Sequence, residues 1–127
     1  MRALLAVFVG GAVGTALRLG IDLVVPGAAL STLVVNTVGA FALALLVARV
    51  WPVAPDWVRA GLGAGLLGSF TTFSAIALSV VAFAHAGEWM PAAGYLAATL
   101  ILGLAAAALG LRLGPARPAA VIDLVDE

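Results

Sequence analysis

The chain contains no cysteine and no lysine. Without cysteine there is neither a disulfide framework nor a thiolate metal site, and the redox compartment cannot be read. Without lysine, and with a formal net charge of zero, there is no basic surface of the kind nucleic-acid binding needs. No nucleic-acid partner is expected. Charge of either sign is scarce. Only 9% of residues are charged and 65% are hydrophobic, whereas a soluble domain carries about a quarter charged residues. Such a chain has lipid as its solvent. A further absence bears on function: no Asp, Glu, Lys or His lies at the centre of an apolar segment. Exchangers that couple organic cations to protons carry a buried carboxylate that binds each in turn. Asp22 lies too near a segment end to serve, so a small four-helix cation-drug exporter is disfavoured.

What is present is four apolar segments, at 3–25, 30–48, 60–84 and 89–111. A membrane-spanning helix needs about 20 such residues, and all four qualify. Arg2 ahead of the first resembles a signal peptide. The run continues past signal-peptide length, however, and Gly10, Gly11 and Gly14 suit a packing helix. The links at 26–29, 49–59 and 85–88 are short. Trp51 and Trp57 flank one interface and Trp89 the other, as in an aromatic belt. The expectation is an all-α membrane protein whose residues 1–113 form one four-helix domain. Residues 114–127 would form an aqueous cytoplasmic tail. With four spans, Arg2, Arg49, Arg59, Arg112 and Arg117 share one side, and only Arg18 approaches the other. Arginine marks the cytoplasmic face, so both termini are expected in the cytoplasm.

The third segment carries a polar interruption, Gly68-Ser69-Phe70-Thr71-Thr72-Phe73-Ser74. Irregular backbone at membrane depth survives only where it is buried in protein or lines a wet path. Freed carbonyls there can hold an ion, while hydroxyls and ring edges line a route. The third helix is therefore expected to break near its middle. On the second segment Thr32 and Asn36 share a face, with Gly39 beside it. On the fourth, Tyr95, Thr99 and Gly103 repeat at the same spacing. Each polar residue alone reads as interhelical glue, worth about 0.6–2 kcal/mol. Three stripes and a break together read as a lined path. Gly10 and Gly14, Gly61 and Gly65, and Gly103 and Ala107 are small pairs that let helices approach, either within one chain or toward a second. The path offers neutral donors and the positive rims of phenylalanine rings. These suit a small hard anion such as fluoride, but do not by themselves choose it over water or another small solute.

The segments Gly10-Gly11-Ala12-Val13-Gly14-Thr15-Ala16-Leu17-Arg18, Ser31-Thr32-Leu33-Val34-Val35-Asn36-Thr37-Val38-Gly39-Ala40-Phe41 and Gly68–Ser74 resemble, in order, the signatures of the CrcB/Fluc fluoride channels. The resemblance implies an antiparallel dimer of four-helix subunits in the plasma or inner membrane, with two narrow pores and a Na⁺ ion at the dimer centre. It implies passive fluoride export that protects against toxicity, with no enzymatic activity and no other cofactor. By position it makes Asn36 the pore carboxamide and Thr32 the hydroxyl one turn earlier. Phe73 becomes the pore ring, and Tyr95 and Thr99 the polar track. The backbone carbonyls of Gly68 and Thr71 become the Na⁺ ligands. Arg18 matches a first-helix arginine that serves either a vestibule or the structure. Gly68 is expected to need glycine's backbone freedom.

Two positions depart from the pattern. Ile76 stands where the family commonly has a second Phe, and Gly103 where it often has another hydroxyl. The partner is either a second copy or an inverted paralogue. The one-sided arginines and Ile76 favour the paralogue, because a chain that inserts both ways needs balanced arginines. Ile76 also keeps open a non-conducting or half-competent subunit of a heterodimeric channel.

Overall fold

A computed structural model describes residues 1–114. Arg117 and the expected tail beyond Gly114 lie outside the described residues. Those described form helices and links, with no strand among them. Four helical stretches are long and apolar enough to cross a membrane: Arg2–Val24, Ala28–Arg49, Asp56–His85 and Trp89–Arg112. The chain is a multi-pass membrane protein. Its surface agrees with lipid as the solvent, since Leu4, Phe8, Leu23 and Leu104 are each more than 70% exposed on faces where water would penalise them.

All four spans start or end slightly beyond the apolar runs, and local chemistry explains one case. The third span begins at Asp56 because the Pro55 carbonyl accepts the amides of Val58 and Arg59, at 3.0 and 3.2 Å. Asp56 also puts a carboxylate in the first helical turn, where the helix dipole favours it. The two short links turn on glycines in the left-handed region, Gly27 at φ 86° and Gly87 at φ 78°. That conformation costs glycine little and other residues much more.

The first span packs along the first half of the third, and the second span along the fourth. The second half of the third leans on the fourth and second. A small core of Val35, Leu67 and Phe70, flanked by Ile21, Ala42, Leu46 and Leu66, ties the first, second and third spans together. At one end of the bundle the Arg49 Nε donates to the Leu113 carbonyl at 2.8 Å, placing a cation on the last carbonyls of the fourth span. Arg2 and Trp57 line one groove. These contacts hold the chain start to the middle link, and the end of the second span to the end of the fourth, as alternating spans require.

The glycine pairs form a seam inside the chain. Over Gly61–Leu67 the third span is a π-helix, with hydrogen bonds one residue longer than in an α-helix. This stretch lies directly on the first span. A Cβ at Gly61 would come 2.9 Å from the Ala6 Cβ, and one at Gly65 2.8 Å from the Val7 carbonyl oxygen. At Gly10 and Gly14 it would overlap the Gly61 and Leu66 carbonyls. Backbone cannot swing aside as a side chain can. Gly14→Ala should therefore cost about 1–3 kcal/mol, read as a lower melting temperature in detergent. Gly20→Ala, with nothing within 4 Å, should not lower it. Equal melting of the two variants would mean that the seam opens freely. Gly103 also has nothing within 4 Å, so no close approach within the chain requires glycine there.

Candidate functional site

The third span stops being helical at Thr71, whose φ of −84° and ψ of 158° are extended. It resumes at Ser74. Interrupted backbone in a membrane must find other partners, and here side chains supply them. Asn36, on the second span, donates from Nδ2 to the Thr72 carbonyl at 2.8 Å. It accepts the Thr72 amide on Oδ1, also at 2.8 Å. The Thr72 Oγ1 accepts the Ala75 amide at 3.3 Å and lies 3.1 Å from the Ser74 Oγ. Thr72 thus caps the second half of the span. The Thr71 hydroxyl turns back onto the Leu67 carbonyl at 2.8 Å.

The polar face of the second span follows this break. Thr32, only 5% exposed, lines a cavity of about 260 Å³ with Arg18, Asp22, Ser31 and Ala75. One turn on, Asn36 meets Thr72. Beside it Gly39 leaves the space that the Thr71 methyl fills, for a Cβ there would overlap that methyl. Asn36, Gly39, Gly68 and Thr71 also line a cleft of about 340 Å³. In the first cavity the Arg18 Nε sits 3.7 Å from the Asp22 Oδ2. The other Asp22 oxygen accepts the Ser31 hydroxyl.

On the fourth span the Tyr95 hydroxyl is buried with no hydrogen-bond partner among the described residues. Its ring centroid lies 6.0 Å from that of Phe83, tilted by 55°. The Thr99 hydroxyl donates to the Tyr95 carbonyl at 2.9 Å, so its hydrogen is already used. Phe73 stands apart from these residues, 76% exposed on the outside of the chain. Ile76, three residues on, is buried, 8% exposed. The structure therefore joins Arg18 with Thr32, joins Asn36 with the break, and pairs Tyr95 with Thr99. It does not bring Phe73 to any of them within one chain.

Gly68 corrects an expectation. Its φ of −64° and ψ of −30° are right-handed helix, and a Cβ would meet only the Gly63 carbonyl oxygen at 3.6 Å. The break is made at Thr71, so nothing inside the chain uses glycine's freedom at Gly68. The sequence reading put Thr72 in the hydroxyl cluster at the break but missed its bond to the Ala75 amide, for which a threonine three residues before that amide was a usable signal. The Asp22 to Ser31 contact crosses a turn and has no local signal.

Residues 5–111 match the family model for CrcB-like protein, Camphor Resistance (CrcB). The chain belongs to the CrcB-like family. Both the polar face of the second span and the break lie inside the matched region of this CrcB-like chain. The fluoride-specific ion channel FluC of Paracoccus denitrificans (strain Pd 1222) is 40% identical over 114 residues, covering 87% of this chain and 92% of that protein. The fluoride-specific ion channel FluC 2 of Geobacillus kaustophilus (strain HTA426) is 37% identical over 113 residues, 84% and 88% of the two chains. The fluoride-specific ion channel FluC 2 of Leifsonia xyli subsp. xyli (strain CTCB07) is 39% identical over 123 residues, 91% and 85%.

Proposed function

We propose that this CrcB-like chain is a subunit of a passive, fluoride-selective channel that exports fluoride from the cytoplasm and so protects against its toxicity. It sits in the plasma or inner membrane with both termini cytoplasmic, and it works as an antiparallel dimer. The observation that carries the reading is a broken span whose surroundings keep neutral donors unspent. Asn36 uses one Nδ2 hydrogen on Thr72 and retains the other. The Tyr95 hydroxyl is buried and has no partner among the described residues, a state rare enough in proteins to call for a ligand. A small anion that accepts hydrogen bonds strongly would suit each of these donors, one on the second span at the break and one on the fourth span beside Phe83. Arg18 is paired with Asp22, which keeps that charge from holding an anion too tightly to leave.

Phe73 motivates the dimer. A large ring 76% exposed on the outside of its own chain would present its edge to the path of a partner. Ile76, buried within the chain, would leave that chain's own path one ring edge short. This favours, as a second reading, a subunit that is half-competent until a partner completes it.

The residues at the break also fit a Na⁺ ion. Among the described residues no group of His, Asp and Glu could hold a metal, so a cation here would rely on backbone oxygen. In a continuous helix the Gly68 carbonyl would accept the Thr72 amide and the Thr71 carbonyl the Ala75 amide. Both amides go to side chains instead. The Gly68 and Thr71 carbonyls would hold the ion, and the ion would supply a fixed positive charge that draws two breaks together.

The test is anion release from proteoliposomes loaded with fluoride or chloride and holding this chain, with its partner if it has one. Fluoride should leave and chloride stay. Equal release of the two, or uptake of ethidium-like cations driven by a proton gradient, would overturn the reading.

A further inference from the structure

We infer that Asn36 and Thr72 are positioning residues for the cation site, because their side chains take the two amides that would otherwise close the Gly68 and Thr71 carbonyls into a helix. The inference rests on the Na⁺ reading above and extends it to side chains that touch no ion. Asn36 Oδ1 holds the Thr72 amide at 2.8 Å, and Thr72 Oγ1 holds the Ala75 amide at 3.3 Å. Remove either acceptor, and the released amide must find another oxygen. The nearest way to satisfy it is to extend the helix across the break, which consumes the carbonyl that the cation needs. Asn36 would serve two ions at once. One edge of its carboxamide holds the break open, and the second Nδ2 hydrogen is left for the anion.

The roles separate in a measurement that does not involve fluoride. The melting temperature of the purified dimer is followed as Na⁺ replaces N-methyl-D-glucamine at constant ionic strength. Thr72→Val removes the accepting hydroxyl at nearly constant shape, and Thr72→Ser restores it. Asn36→Ala removes the other acceptor. Thr72→Val and Asn36→Ala should each need about tenfold more Na⁺ for half the stabilisation, since a regained backbone hydrogen bond now competes for the carbonyl. Thr72→Ser should follow the unaltered protein. Should Asn36→Ala fail to form a dimer, the Thr72 pair decides alone. If the unaltered protein responds to Na⁺ and dimeric Thr72→Val responds equally, the positioning role is overturned while the cation site stands. If the unaltered protein shows no Na⁺ response, the cation reading falls and takes this inference with it.

Discussion

Asn36→Asp should remove nearly all fluoride flux from a protein that still assembles. Two effects act in the same direction. The carboxylate can still accept the Thr72 amide, but it has no hydrogen for the Thr72 carbonyl that Asn36 now meets at 2.8 Å, so two oxygens confront each other. It would also place a full negative charge beside the proposed anion path, where a low dielectric makes like charges repel far more strongly than in water. An unfavourable charge contact of about 3 kcal/mol already corresponds to more than a hundredfold loss. The measurement is fluoride efflux from liposomes, with size-exclusion chromatography confirming the dimer. If Asn36 were only interhelical glue, assembly rather than flux would suffer. Unchanged flux in assembled Asn36→Asp protein would remove Asn36 from the path.

The second large effect concerns partnership. Expressed alone, the chain should show a single topology in a terminal reporter assay and conduct poorly. Co-expression with a paralogue of opposite arginine bias should restore flux. The motive is the clustering of Arg2, Arg49, Arg59 and Arg112 toward one end of the bundle, where the Arg49 guanidinium also grips the end of the fourth span. That end should be retained in the cytoplasm. Ile76 adds to it, since its buried aliphatic side chain offers no ring edge in either copy of a homodimer. A lone chain that inserts both ways and forms a fully active antiparallel homodimer would show that the arginine bias does not decide this topology.

The break was legible as a break but its construction was not. Gly68 drew attention as the helix breaker, yet its backbone is helical. The turn falls at Thr71, where hydroxyls and a distant carboxamide replace the lost ladder. Thr32 and Asn36 were correctly placed on one face because helical spacing alone decides that. The glycine pairs signalled close approach without naming the neighbour. Two of them face each other inside the chain, while Gly103 of the third faces open space.

The sequence by itself determined the solvent, the number of spans, their alternation and the place of the interruption. These follow from hydropathy and from backbone hydrogen bonding within single segments, which are local properties. Only the tertiary structure decided that Asn36 closes on Thr72, 36 residues away, that Asp22 joins Arg18 to Ser31, that the Tyr95 hydroxyl has no partner among the described residues, and that Phe73 is exposed on the outside of the chain. Each depends on how whole helices rotate and slide against one another. That is set by the summed packing of the seam between the first and third spans and of the second span against the fourth, and no single stretch of residues encodes it.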